Sequence, residues 1–260
     1  MFTTSEGYER FMGRWSRLLA PAHISFAGIR NGERILDVGT GTGSVAFALA
    51  EAMPSSEIVG IDPSEAFIAY ARSNSRSDRV RFEVGNAQAL QHQDASFDQT
   101  VSLLVLNFVP DHEKAIGEMR RVTRSGGAVS ACVWDYNAGM EMLRFFWDEV
   151  VALDLAMEPK DERHMKLSRE GQLGTLWRKA GLTDVQERGL TIEQRYASFA
   201  DYWTPFLKGA GPGGAYVVSL TDERRRQLEA RLQKRLLGDR PDGGFTLKAR
   251  AWCVRGKVPV

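Results

Sequence analysis

The sequence predicts a doubly wound α/β protein with a mostly parallel, seven-stranded sheet, and three observations carry that reading. From Arg34 onward short apolar runs alternate with amphipathic helical patterns. The first run ends in alternating glycines, Gly39-Thr40-Gly41-Thr42-Gly43, that open straight into a helix. The next run, Ile58-Val-Gly-Ile-Asp62, closes on an acid. With 260 residues and 43% of them apolar, the chain suffices for a sizeable core and fits one large domain, or one domain carrying a small insertion, better than two independent domains.

Ahead of the first strand, Tyr8, Phe11, Trp15, Leu18 and Leu19 are spaced to share one helical face, which predicts a helix packed beside the sheet. The strands follow at Arg34 to Val38, Glu57 to Asp62, Val80 to Val84, Phe97 to Val105 and Gly127 to Trp134. Between the last two, Asp111 to Thr123 reads as a helix with Ile116, Met119 and Val122 inward, stopped by Gly126-Gly127. Beyond Asn137 a helix carries Met140, Leu143, Phe146, Trp147, Val150 and Val151, then a charged turn spans Glu158 to Arg163. A further helix from about Ser168 to Ala180 ends at Gly181, and strands follow from Val185 to Arg195 and Phe245 to Arg255. Between those strands lie an aromatic helix, a glycine-rich bend from Gly209 to Gly214 and a basic helix near Arg224 to Leu237. The organisation expected is an N-terminal helical cover over 1–33, an α/β core over 34–195 and 245–260, and an inserted helical lid over 196–244.

The charge balance, 34 basic against 33 acidic residues, gives no electrostatic ground for a nucleic-acid or membrane partner. No apolar run is long enough to span a bilayer, and the start Met1–Gly7 lacks the pattern of a leader peptide. Cys132 and Cys253 are expected to be buried free thiols in a reducing compartment, hence a cytoplasmic protein.

The glycine loop lets the backbone turn tightly against a ligand while the following helix presents free N–H groups, so an adenosine-like molecule is expected across it. A dinucleotide site needs G-x-G-x-x-G, whereas the spacing here is G-x-G-x-G with Asp37 before it, which disfavours NAD. Asp62 is placed to accept hydrogen bonds from two ribose hydroxyls, as an acid does in either kind of site.

Five ordered blocks then make the chain resemble the class I S-adenosyl-L-methionine (SAM)-dependent methyltransferases, particularly the small-molecule group of ubiquinone and menaquinone biosynthesis. They are Asp37-x-Gly39-x-Gly41-x-Gly43, Asp62-Pro63-Ser64, Gly85-Asn86-Ala87, Ser96-Phe97-Asp98 and Glu118-x-x-Arg121-Val122-x-x-x-Gly126-Gly127. The resemblance runs from about Tyr8 to Trp134, half the chain. It implies a Rossmann-like methyltransferase fold and a SAM site in which Gly39, Thr40 and Gly41 line the methionine part, Gly43 belongs to the cofactor loop, and Asp37 orients the amino group directly or through water. Asp62 would hold the ribose, Pro63 cover the adenine, and Asn86 and Ala87 meet the adenine edge, with Leu103 beside the cofactor. Asn86 departs from the more usual aspartate and brings no charge. Tyr8 and Arg14 match a lead-in that closes over the cofactor; Arg14 would pair with the SAM carboxylate or else be a solvated helix charge.

Methyl transfer from a sulfonium needs near-attack geometry more than a catalytic triad, so no catalytic residue is assigned. Asn107, Trp134, Asp135 and Tyr136 follow the fourth and fifth strands, where open α/β sheets bind ligands. Phe11, Trp15, Trp203 and Phe206 are the further candidates for lining an apolar or aromatic acceptor pocket. The stripe Phe199, Tyr202, Trp203, Phe206 reads equally as packed core. His112 reads as the first turn of a helix capped by Asp111, and His23, His92 and His164 as surface residues. No histidine or cysteine spacing suggests a metal. Arg224 to Arg226 with Lys234-Arg235 form the solvated face of a helix whose Leu228, Leu232 and Leu236 turn inward. The expected partner is therefore a small-molecule acceptor and not nucleic acid or membrane, in an oligomeric state the sequence leaves open. Two rivals remain: a SAM-binding protein of this fold that transfers no methyl, and a nicotinamide-dependent oxidoreductase.

Overall fold

The computed structural model describes residues 5–260; the start Met1–Thr4, part of the expected absence of a leader, lies outside them. In chain order the elements are α1 (Ser5–Tyr8), a π turn (Glu9–Gly13), α2 (Arg14–Ala27), β1 (Arg34–Val38), α3 (Ser44–Ala52), β2 (Glu57–Asp62), α4 (Glu65–Asn74), β3 (Val80–Val84) and β4 (Phe97–Leu103). A 3₁₀ turn (Leu106–Phe108), α5 (His112–Val122), β5 (Thr123–Trp134), α6 (Glu141–Leu153), two 3₁₀ turns (Leu155–Lys160 and Glu162–His164) and α7 (Gln172–Lys179) follow. The chain ends with β6 (Thr183–Tyr196), α8 (Phe199–Leu207), α9 (Gly211–Ser219), α10 (Asp222–Leu237) and β7 (Phe245–Lys257).

The seven strands form one sheet in the order β3-β2-β1-β4-β5-β7-β6. The first five are parallel, and β7 runs antiparallel to β5. Parallel neighbours need long crossovers, which α3, α4 and α5 provide, and strands covered on both faces are largely apolar: Ile35, Leu36 and Val38 of β1 are all fully buried, with Asp37 the one buried charge among them. The strand order reverses between β1 and β4, whose carboxyl ends therefore flank the crevice where such sheets bind ligands.

Two compact units divide the chain. The sheet unit comprises Ser16–Trp134, Lys166–Leu190 and Ala251–Val260. In it α5 starts where expected, the Asp111 carboxylate accepting the Lys114 N–H at 2.9 Å, with Ile116, Met119 and Val122 fully buried. The other unit gathers the residues up to Trp15 with Asp135–Met165 and Thr191–Arg250. Its core is aromatic: Phe206 stacks on Phe146 at 4.5 Å, Tyr196 on Phe245 at 5.3 Å, and Phe11 meets Phe206 edge-on at 5.0 Å.

Several expectations are corrected. Cys132 and Cys253 are bonded to each other: β5 and β7 pair these two residues in register, with Cα atoms 4.1 Å apart, so the free thiols and the compartment argued from them lose their ground. Leu18 is 43% exposed, because Trp15, Ser16, Leu19, Ala20 and His23 form the buried face of α2 and Leu18 falls outside its edge. α5 stops at Val122, not at the glycine pair, and β5 runs through Gly126-Gly127; a Cβ on Gly127 would lie 2.4 Å from the Asp98 carbonyl oxygen, so glycine serves strand approach there. β4 ends at Leu103, two residues early, because Leu104 takes a left-handed φ of 65°. His23 is not a surface residue: it is fully buried on α2, its Nε2 3.1 Å from Ser130 Oγ of β5. The face of α10 is partly paired, Arg231 and Arg235 meeting Glu149 at 2.7 and 3.1 Å and Arg235 meeting Asp148 at 2.8 Å.

Candidate functional site

β1 delivers its backbone into the glycine loop, where Gly39, Gly41 and Gly43 have φ of 76°, 55° and 95°, a region that L side chains rarely adopt. The Gly39 and Thr40 N–H groups both donate to the Ile61 carbonyl at 2.8 Å, locking the loop to β2. A side chain on Gly39 would meet Val105 at 2.5 Å, whereas a Cβ on Gly41 would meet nothing within 4 Å. Gly41 is therefore the open floor of the loop and Gly39 its packing contact.

Two buried acids face this loop. The Thr40 hydroxyl donates to Asp37 Oδ2 at 2.7 Å, while Asp37 Oδ1 is buried without a partner. Burial pushes the Asp37 carboxyl up to about 7 against the Thr40 hydrogen bond, and the Asp62 charge adds to the rise. Asp62 accepts the Gly41 N–H at 3.0 Å on Oδ2 and the Ser64 N–H at 2.9 Å on Oδ1; burial raises it too, against those two N–H groups. An ionised carboxylate has about four lone-pair sites, so Asp62 keeps acceptor capacity for two more donors. An unpartnered buried carboxylate oxygen, an open left-handed loop and a second acid with spare lone pairs fit a nucleoside that carries a charged amino group.

The segment after β3 is held from behind. Asn86 is exposed, its Oδ1 accepting the Gln88 N–H at 2.9 Å, and Ala87 is buried. Glu118 accepts the Leu90 N–H at 2.8 Å, and Arg121 donates to the Leu90 and His92 carbonyls at 2.9 and 2.8 Å. The Glu118-x-x-Arg121 block thus acts by shaping the Asn86–Asp94 loop from α5. Pro63 is exposed next to Asp62, and Leu103, Trp134 and Asn107 are buried. Asp135 is no free base: Arg250 donates to its Oδ2 at 2.9 Å through Nε, and the Ala138 N–H donates to its Oδ1 at 2.9 Å.

In the aromatic unit, Arg14 donates to Asp201 at 2.9 Å and to the Arg195 carbonyl at 3.1 Å, and its guanidinium lies 4.6 Å from the Tyr196 ring centroid. It is half-buried and already paired. Tyr8 is half-buried at the end of α1, and Phe11 and Trp15 are buried, Trp15 6.4 Å from Tyr196. The four stripe residues of α8 are all buried; Tyr202 donates its hydroxyl to the Met142 carbonyl at 3.0 Å, and Trp203 Nε1 is buried without a partner. His112 lies in the first turn of α5 as expected.

The sheet unit thus brings Asp37, the glycines and Asp62 together. Sequence reasoning missed Gly60, whose Cβ would lie 2.7 Å from Thr40 Oγ1, and Val105, which packs on Gly39. A glycine inside the apolar run Ile58 to Asp62 was the signal for the first, since it marks close approach; the second had none. Among the described residues no cluster of three or more His, Cys, Asp or Glu could hold a metal, and no helix is long and apolar enough to cross a membrane.

Comparison with known proteins agrees with this geometry. Residues 29–176, more than half of the chain, match the model of a methyltransferase domain family. The chain is 32% identical over 167 residues to a demethylmenaquinone methyltransferase of Roseiflexus castenholzii, covering 60% of this chain and 70% of that protein. The chain spans less than half the length of the first curated relatives it matches. Among solved structures, a phosphoethanolamine N-methyltransferase 2 of Haemonchus contortus in complex with SAM aligns at a TM-score of 0.59 and 16% identity, over 100% of this chain and 61% of that one. The [4+2]-cyclase SpnF aligns at 0.56 and 20%, over 94% and 81%, which shows the same fold. The chain belongs to the methyltransferase-domain family, has the fold of the class I SAM-dependent methyltransferases, and is similar to the demethylmenaquinone methyltransferases.

Proposed function

We propose that the protein is a SAM-dependent methyltransferase acting on a small apolar or aromatic acceptor. The observation that carries this reading is Asp37: a buried carboxylate with one oxygen unpartnered, directly before a left-handed glycine loop whose floor at Gly41 is open. SAM would supply an electrophilic methyl on a sulfonium. Asp37 would accept the amino group of its methionine part, Asp62 the ribose hydroxyls, and the segment at Asn86 and Ala87 the adenine edge. The protein's contribution is orientation: the Ile61 carbonyl fixes the glycine loop and Asp62 ties Gly41 to it, so the reacting carbon is held rather than activated. Asp135 is already paired with Arg250, so no base role is assigned to it.

The rings around Phe206 and Trp203 pack on one another as core, so the apolar or aromatic character of the acceptor rests on the family resemblance rather than on this packing. We assign acceptor selection to the segment 196–244, and the demethylmenaquinone methyltransferase relative is consistent with an aromatic acceptor. The pairing of Arg231 and Arg235 with acids of α6 favours a small acceptor over nucleic acid.

The test is transfer of labelled methyl from SAM to a panel of quinols, phenols and amines, read by mass spectrometry. A methylated product that disappears in Asp62→Ala supports the reading. Tight S-adenosylhomocysteine (SAH) binding with no product from any acceptor supports instead a SAM-binding protein without transfer, which the fold shared with a cyclase makes a specific second reading.

A further inference from the structure

We infer that Asn107 is a substrate-holding residue, and that the acceptor presents a hydrogen-bond donor beside a carbonyl on one edge, as a lactam does. This rests on the methyltransferase reading and deepens it. Asn107 is 8% exposed, and both of its side-chain polar atoms, Nδ2 and Oδ1, are buried without a partner. Among the described residues it is the one side chain with two separate polar atoms so left. The conclusion is independent of which way the amide is turned, because each end lacks a partner. A buried primary amide with neither end satisfied is costly, and native proteins keep such groups where a ligand or an ordered water completes them.

Its place in the fold points to the acceptor. The 3₁₀ turn Leu106–Phe108 leaves the carboxyl end of β4, at the reversal of strand order, and Val105 just before it is the residue a side chain on Gly39 would strike. Leu104 holds the turn in place from a left-handed φ of 65°, its N–H donating to the Cys132 carbonyl at 2.7 Å. A backbone forced into a conformation that leucine disfavours, and pinned there to β5, presents Asn107 in one fixed position. The adenosine contacts are placed on Asp62 and the Asn86 segment, so the Asn107 amide is left for the second substrate.

A primary amide offers N–H and C=O side by side in one plane, and its complement is a planar edge carrying the same pair reversed. Nδ2 donates to the acceptor's carbonyl while Oδ1 accepts its N–H or O–H. A site built this way rejects an analogue in which one of the pair is blocked, because the group facing it is then buried unpaired.

The matched probes are 2-quinolone and N-methyl-2-quinolone, which differ by one methyl on the lactam nitrogen, titrated by calorimetry into the full chain saturated with SAH. Wild type should bind 2-quinolone at least tenfold more tightly than its N-methyl form. Asn107→Leu, of similar shape, should bind the two within twofold of each other while its SAH affinity stays within twofold of wild type. Asn107→Asp, which keeps the acceptor and loses the donor, should weaken 2-quinolone at least tenfold. Equal binding of the two probes to wild type, no binding of either in the presence of SAH, or discrimination that survives in Asn107→Leu overturns the assignment. Failure to bind SAH at all overturns the methyltransferase reading itself, so the two failures are told apart.

Discussion

Because burial holds the Asp37 carboxyl near pH 7, the charge proposed to meet the cofactor amino group titrates in the physiological range. Below that value the carboxyl is protonated and cannot pair with a cation, so SAH affinity should rise with pH between 6 and 8 and level off above, while Asp37→Asn should flatten the profile. A wild-type affinity independent of pH across that range contradicts the role. The same residue shows how much of the site was legible: Asp37, the three glycines and Asp62 stood out because a backbone that turns through positive φ admits little but glycine, and a ribose contact needs a carboxylate. Asn107 could be placed after a strand but not seen to be unpartnered, since hydrogen-bond satisfaction is a property of the packed state.

At the scale of single elements, α2 and β5 share a buried pair, His23 with Ser130, and burial lowers the histidine from 6.5 to about 4. Its neutral form is held in the fold while the unfolded chain protonates below pH 6.5, so stability from this group is present above 6.5 and lost as pH falls toward 4. The loss is about 3 kcal/mol, at about 1.4 kcal/mol per pH unit. Asp37, raised from 3.8 to about 7, contributes the opposite slope over nearly the same window, so the two largely offset each other in wild type. His23→Gln should therefore cost less stability at pH 4 than at pH 7, by about 3 kcal/mol in denaturant unfolding; a pH-independent cost contradicts the burial account. On α8, Trp203 is 2% exposed, and Trp203→Ala should lower stability by about 3–5 kcal/mol with SAH affinity intact. A Tm within about 2 °C of wild type would place that ring outside the core, since 1 kcal/mol shifts a domain of this size by about 2–4 °C. Helical and strand periodicity were readable here: Ile116, Met119 and Val122 face inward as their spacing requires. The π turn was not, because an i to i+5 turn leaves no mark in composition.

For the whole molecule, the alternation of runs and helices announced a doubly wound, mostly parallel sheet, while the order of its strands, reversing between β1 and β4, is seen only in the fold. The cross-strand partnership of β5 and β7 was not announced, because residues 121 positions apart reveal their register only when the last strand enters antiparallel; the disulfide followed from that register. Protein unfolded without reductant should accordingly give no reaction with a thiol reagent, and two reactive thiols after reduction, counted by mass spectrometry. Reactive thiols in the unreduced sample contradict the pairing. The central claim is that the glycine loop and its two acids hold SAM. It is tested most directly by thermal shift of wild type and Asp62→Ala with SAH and with NAD, since a ligand that binds only the native state raises Tm. The account predicts a rise with SAH alone in wild type and, in Asp62→Ala, an SAH affinity lowered by about 1.5–3 kcal/mol, the worth of a charged hydrogen bond. A rise with NAD alone, or a response to SAH that Asp62→Ala leaves unchanged, contradicts it.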